Sequence, residues 1–589
     1  MTDLAALTLL VELADGVRRS AAVGGSGACR LGTLIVDLSL HEAGWEWGVA
    51  NDGTAALEVV SVALEWDAGR AGPEPRMFRN GYQSWSPASV AFLGVDHDPS
   101  TVPGAPSLLR GMHHADARVA PPARLRSELV TVLDRDTDDE PDAALVLVGF
   151  TGGASHDGTI WVGLDDRGHV TATATAFLGG ARLGPGERRT LHPVTVVTGP
   201  RGEASALLED WATRVGQAGG ARTTAPYQVG WCSWYHYFHD VSEAAVRHNL
   251  QRAVDWPFEV FQIDDGYQAA VGDWLSTNER FPTELGGLAE PIRSAGLTPG
   301  IWLAPFLVAP DSTLARDHPD WIATHPSGRP LIGMVNPGWG GPVLTLDTTR
   351  PEVLDHLERT AAALVEAGFP YLKLDFTYAP SLSGRFADPT RTPAERVRAG
   401  MEAVRRGAGD HAFLLGCGLP LGAGVGVVDG MRIGADVAPW WDVQPDQWNP
   451  PGYTGVEPAT SHAWVNTLTR SFMHRRLWLN DPDCLMLRTS DTKLSPEAAR
   501  AWALAVGVSG GMALVSDDLA LLGADARALL DEVVALGRES DARAATGVSA
   551  RCDDLMQRPL PGRLRSNHTL LVGDGEGRAR VDRVQASTS

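Results

Sequence analysis

The stretch TRPEVLDHLERTAAALVEAGFPYLKLDF, residues 349–376, decides the fold. Thr349 is a candidate N-cap, and Pro351 suits the first helical turn because its missing N–H would be unpaired there anyway. Leu354, Leu357, Ala361, Leu364 and Val365 recur at helical spacing, and Gly368 closes the helix. The apolar run Tyr371 to Phe376 follows at once as a strand. Helix then strand across a two-residue break is the repeating step of a parallel α/β fold.

Outward from this unit, similar short runs recur at Val229 to Trp234, Glu259 to Asp264, Thr298 to Ala304, Phe413 to Cys417, Met431 to Ala435, Leu477 to Asn480 and Ala513 to Ser516. Helical stretches such as Glu243 to Val254, Ala394 to Arg406 and Pro496 to Val506 lie between them. With Tyr371 to Phe376 these make eight strands, the number a (β/α)8 TIM barrel needs. Val343 to Asp347 would be a ninth and is set outside the barrel. Ahead of it, residues 5 to 200 alternate short apolar runs with Gly, Pro and Asp, the pattern of an antiparallel β-sandwich. A helix near Ala204 to Val215 and a linker with Gly219, Gly220 and Pro226 join the two. After about residue 520 the apolar runs support a small β region. The expectation is a multidomain α/β chain: an N-terminal β-sandwich at 1–215, a catalytic barrel at 222–520 and a small C-terminal domain at 521–589.

Composition narrows the function classes. The 589 residues are 44% hydrophobic and 21% charged, ordinary for a globular protein. A net charge of -22 repels polyanions, so nucleic acid and anionic membrane surfaces are unexpected partners. No apolar run reaches the roughly 18 to 20 residues of a membrane span. Acidic residues at the N-terminus, with no Lys or Arg before Arg18, lack the order of a secretory signal, so a cytoplasmic location is expected. Cys29, Cys232, Cys417, Cys484 and Cys552 are odd in number and widely spaced, which favours reduced thiols over disulfides or a zinc site. No metal or organic cofactor is expected.

A barrel carries its site at the C-terminal ends of its strands. The residues there are Trp234 and Tyr235, Asp264 and Asp265, Trp302, Lys373 and Asp375, Cys417, Arg432 and Asp436, and Asp481 with Asp483. Carboxylates and Lys bind hydroxyls in-plane while Trp packs on an apolar ring face, so this mouth suits a sugar. Glycoside hydrolysis needs two carboxyl groups. Asp375 fits the nucleophile, with Lys373 on the same strand face to hold it ionised. Asp436 fits the acid/base, since Pro439, Trp440 and Trp441 after it would raise its pKa. Each residue alone has a plainer role: an Asp can cap a helix, an Asp pair can make a turn, Trp and Cys417 can pack, and Lys373 and Arg432 can form structural ion pairs. Spacing therefore supports a barrel enzyme acting on a polar ring, without naming its substrate.

The strings NGYQSW (80–85), GWCSWYHYF (230–238), FQIDDGY (261–267), GIWLAPF (300–306), KLDF (373–376), LGCG (415–418), DGMRIGAD (429–436) and WLNDPDCL (478–485) resemble, in order, those of glycoside hydrolase family 36 α-galactosidases (melibiases) in their short bacterial form. That resemblance implies retaining hydrolysis of terminal α-galactosyl residues, as in melibiose and raffinose, with Asp375 as nucleophile and Asp436 as acid/base. It assigns galactose binding to Trp234, Tyr235, Asp264, Asp265, Trp302, Lys373, Cys417 and Arg432, with Trp85 reaching in from the N-terminal domain. Small α-galactosides are the expected partners, and the short form suggests a monomer. Tyr267 departs from the pattern, standing where many relatives have Trp, which puts aglycone preference in question. The alternatives are an α-N-acetylgalactosaminidase or α-galactosyltransferase on the same barrel, or a non-catalytic galactoside-binding protein.

Overall fold

The computed structural model describes residues 7–41, 43–136, 143–447, 450–557 and 560–584. The outer ends of the first and third expected domains, 1–6 and 585–589, lie outside these residues.

Two antiparallel sheets form the N-terminal sandwich. One has six strands and includes Leu7–Leu13, Leu57–Arg70 and His169–Leu183, and the other has eight and includes Gly44–Asn51, Arg188–Gly199 and Leu145–Phe150. In the first strand Leu7, Leu9, Val11 and Leu13 are buried while Thr8, Leu10 and Glu12 are half-buried, because side chains alternate between faces. A short helix, α1 (Ser107–His113), sits in the connection between two sandwich strands, and a longer one, α2 (Ala204–Gly219), leads to the barrel.

The barrel's parallel strands are β1 (Val229–Cys232), β2 (Val260–Ile263), β3 (Thr298–Leu303), β4 (Tyr371–Leu374), β5 (Phe413–Gly416), β6 (Gly430–Arg432), β7 (Leu479–Asp481) and β8 (Ala513–Val515). They pair in sequence order from β1 to β7, and β8 pairs with β1. A Met512 N–H to Asn480 C=O bond of 3.0 Å and a bridge between Leu485 and Val515 link β7 to β8 and nearly close the ring. These are the eight strands expected. The ninth, Gly341–Thr345, pairs instead with Leu307–Val308 and Ile332–Asn336 in a separate three-stranded sheet between β3 and β4.

Helix α3 (Pro351–Glu366) precedes β4, with Arg350 at its N-cap. Thr349, expected to cap it, donates to Asp347 at 2.5 Å instead. Its buried face is Val353, Leu357, Thr360, Ala361 and Leu364, so Leu354 and Val365 sit at the margin. Helix α4 (Pro393–Ala408) follows, opened by a capping box of Thr392 and Glu395. Between β7 and β8, α5 (Pro496–Ser509) is buried on nearly every side, since it packs against both α6 (Ala524–Ala544) and the C-terminal sheet. The 21-residue α6 was not anticipated from the apolar runs after residue 520. Four antiparallel strands from Arg551 to Arg583 complete the chain. No helix among the described residues is long and apolar enough to cross a membrane.

Sandwich and barrel meet through the NGYQSW segment. The buried Arg470 guanidinium donates to Asn80 Oδ1 at 3.2 Å, to the Ser84 carbonyl at 3.0 Å and to the Ile433 carbonyl at 2.9 Å. Nearby, Asp157 and Glu128 are buried carboxyl groups, pushed up to about 8 and about 7, in both cases chiefly by burial. A carboxyl whose folded pKa is raised contributes stability that is complete below the unfolded value near 4 and is lost as pH rises through the folded value. Thermal stability is therefore expected to fall from about pH 4, by about 1.4 kcal/mol per pH unit for each group, up to about pH 7 for Glu128 and about pH 8 for Asp157. Calorimetry of wild type and Asp157→Asn checks this: the variant should show a shallower loss, and parallel curves would exclude Asp157 as a source.

Candidate active site

The polar residues that end the barrel strands converge on one cavity of about 670 Å³. Trp85, Trp234, Tyr235, Asp264, Asp265, Trp302, Lys373, Asp375 and Asp436 all line it. Cys417 and Arg432 lie buried just behind, Cys417 accepting the Trp85 indole N–H at 3.1 Å and Arg432 donating to Asp436 Oδ1 at 2.8 Å.

Asp375 extends β4, its N–H bonded to the Leu303 carbonyl of β3 at 2.8 Å. Its carboxylate accepts from the Trp302 indole at 2.9 Å and from the Phe376 N–H at 2.9 Å. Phe376 is held at φ +52°, a conformation costly for a non-glycine residue and frequent where a site imposes it. The expected Lys373 to Asp375 pair is replaced by another: the Lys373 ammonium closes on Asp264 Oδ2 at 2.8 Å. Its field still favours the Asp375 carboxylate, as do the bonds from Trp302 and Cys417, yet burial outweighs them and the Asp375 pKa is raised. Burial also opposes charge on Lys373, but Asp264 and the neighbouring acidic groups prevail and hold the ammonium well above the usual lysine range.

The adjacent aspartates take different partners. Asp264 accepts from Gln262 Nε2 at 2.5 Å, and its own N–H donates to Ser233 Oγ at 2.9 Å. Asp265 accepts from Gln268 Nε2 at 2.6 Å and from the Trp339 indole at 2.8 Å. Burial raises the Asp265 pKa against those donors.

Asp436 follows β6. Its side chain is 39% exposed, unlike Asp375, whose residue exposure is 8%. Pro439, Trp440 and Trp441 are expected from the sequence to wrap it in apolar surface, and none of the three lines the cavity. The Trp440 indole bonds the Pro458 carbonyl, and the Trp441 indole bonds the Gly575 carbonyl of the C-terminal region, each at 3.0 Å. The Asp436 carboxylate accepts from Arg432, which also donates to Tyr235 Oη at 3.0 Å and to Asp483 Oδ2.

Asp483 thus anchors the Asp436 side of the mouth, a position the strand-end pattern gave no specific role. Its Oδ2 accepts from the Tyr235 hydroxyl, Arg432 and the Val437 N–H, the last at 2.9 Å, while its backbone sits at φ +93°. Burial pushes its pKa up to about 7. Replacing one partner of a buried ion pair leaves the other uncompensated. Asp483→Ala is therefore expected to cost about 3–5 kcal/mol of unfolding free energy. Denaturant titration measures it, and a loss below about 1 kcal/mol would mean that Arg432 is held by its other partners.

Trp339, Met334 and the turn between them also border the cavity without having been read from the sequence, since they belong to the three-stranded excursion. Tyr267 does the reverse: it is fully buried, with its hydroxyl 3.4 Å from the Trp274 carbonyl, and does not border the cavity. At Gly418, φ +58°, a Cβ would come within 3.0 Å of the Trp85 ring and 3.2 Å of the Phe376 backbone, so glycine is needed for that close packing.

Fold and mouth together define a melibiase-type barrel, and the family model described as Melibiase matches residues 224–391. The chain is similar to α-galactosidases of glycoside hydrolase family 36, and the likeness runs from sandwich to C-terminal sheet. The α-galactosidase of Thermus thermophilus, solved with p-nitrophenyl α-D-galactopyranoside, is 27% identical, with TM-score 0.67 over 95% of this chain and 99% of that one. Alpha-galactosidase AgaA of Geobacillus stearothermophilus is 25% identical over 54% of this chain and 45% of its own length. The Escherichia coli α-galactosidase is 30% identical over 24% of this chain and 20% of its own. The matches to these two curated relatives thus span less than half of their lengths.

Proposed function

We propose that the protein is a retaining α-galactosidase that removes terminal α-galactosyl residues from melibiose- and raffinose-type oligosaccharides. The observation that carries this reading is the pairing of a buried carboxylate, Asp375, with a partly exposed one, Asp436, in a cavity whose other polar groups suit hydroxyls. Asp375 attacks the anomeric carbon while Asp436 protonates the departing oxygen, giving a covalent galactosyl-enzyme. Asp436 then takes a proton from water, which attacks the same carbon and frees Asp375. Asp264, Asp265 and Lys373 hold ring hydroxyls, Trp302 fixes the nucleophile, and Arg432 orients the acid/base. The relative's complexes with the nitrophenyl galactoside and with stachyose support a galactoside in this mouth. We further place the protein in the cytoplasm, as a monomer working on small galactosides apart from nucleic acid and membrane.

Hydrolysis of 4-nitrophenyl α-galactoside and melibiose, with the first-formed anomer followed by NMR, tests the reading. Initial α-galactose supports double displacement, initial β-galactose contradicts it, and inactivity on both favours a binding protein.

A further inference from the structure

We infer that the aglycone side of this cavity is built for an apolar alcohol, so that alkyl α-galactosides are better substrates than galactosides of another sugar. The inference rests on the α-galactosidase reading above and deepens it.

At about 670 Å³ the cavity falls within the roughly 300–1,000 Å³ of pockets that enclose drug-sized ligands, which leaves space beyond one hexose ring. Its polar groups are concentrated on the barrel floor, where Asp264, Asp265, Lys373 and Asp375 meet. Past them the wall changes character. Helix α1 presents Leu108, Leu109 and Met112, preceded by Pro106. The excursion sheet contributes Met334, Val335 and Pro337, and Val456 with Pro458 stand beside Asp436 on the leaving-group side.

Two polar side chains interrupt this wall, each with one of its polar atoms already bonded within the protein. His113 Nδ1 pairs with Ser86 Oγ at 3.0 Å, and Asn336 Oδ1 accepts from the Gly338 N–H at 2.9 Å. The wall continues into its own apolar cluster, in which Leu109, Met112 and Val456 pack with Tyr378 and Met334. Toward solvent it ends in Val335, 49% exposed, an apolar rim on a chain of net charge -22.

A second sugar carries hydroxyls that must exchange water for protein partners, and a wall with few free donors or acceptors leaves them unpaired. An alkyl chain instead gains about fourfold in affinity for each methylene it buries. The same surface therefore penalises one class of aglycone and favours the other.

The test is kcat/KM for methyl, butyl and hexyl α-galactosides, at concentrations below micelle formation, beside melibiose and raffinose. The expected result is a rise of about tenfold or more from methyl to hexyl, with hexyl above both oligosaccharides. The double change Met334→Gln and Val335→Asn should lower the hexyl-to-melibiose ratio about fivefold. Melibiose or raffinose matching hexyl, or a chain-length rise that the double variant leaves intact, overturns the inference while the α-galactosidase reading stands. A dimer seen by light scattering that the variant dissociates, with a flat chain-length profile, overturns it too by giving the rim to self-association. If no α-galactoside is hydrolysed, the functional reading fails and this inference with it.

Discussion

Asp375→Ala is expected to lower kcat toward 4-nitrophenyl α-galactoside by about 10⁴-fold or more, and added azide to restore turnover with β-galactosyl azide as the product. The size follows from the proposed role: without a nucleophile no covalent intermediate forms, and a factor of 10⁴ is about 5.5 kcal/mol of barrel-imposed barrier lowering. The stereochemistry follows from geometry, since a small anion entering the space left by the carboxylate attacks the face opposite the departing group. The wild-type pH profile gives an independent check on the same residue. Burial raises the Asp375 pKa, so protons compete for it at higher pH than for an ordinary carboxylate. Activity should be present above that raised value and lost as pH falls through it, with the acid limb at higher pH than an ordinary carboxylate would give. Turnover that survives in Asp375→Ala would assign the nucleophile elsewhere.

Asp436→Ala should produce a loss that depends on the leaving group. A sugar alkoxide needs a proton to depart, so melibiose hydrolysis should drop by about 10³–10⁴-fold. A 2,4-dinitrophenolate leaves without help, and its galactoside should still form the covalent intermediate. Azide then attacks that intermediate from the face the leaving group vacated, giving α-galactosyl azide, the opposite anomer from the Asp375→Ala product. Equal losses on both substrates, or the same azide anomer from both variants, would contradict the assignment of roles.

The barrel was legible because its strands are short apolar runs, most of them with a polar residue at the C-terminal end, and parallel strands buried on both faces read that way. Asp375, Asp264 and Trp302 stand where that pattern places them. What the pattern does not carry is which polar group pairs with which. Lys373 and Asp375 share a strand face, yet the ammonium reaches across to the neighbouring carboxylate of Asp264. Pro439, Trp440 and Trp441 follow Asp436 in sequence, but a change in chain direction sends the two indoles to other carbonyls. Trp339 and Met334 were invisible for a related reason: they lie in an excursion between β3 and β4, whose position depends on the finished fold. Asp483 was collected as a strand-end residue, but its function as a shared acceptor for Tyr235, Arg432 and Val437 exists only once three segments meet.

The indole of Trp85 on Cys417 and the side chains of α1 are supplied by the sandwich, while both carboxylates come from the barrel. Both proposed catalytic groups thus lie on one domain, while the apolar wall is shared between the sandwich and the barrel's own excursions. Substitution in α1 can therefore reshape part of the wall while Asp375 and Asp436 stay fixed on the barrel strands.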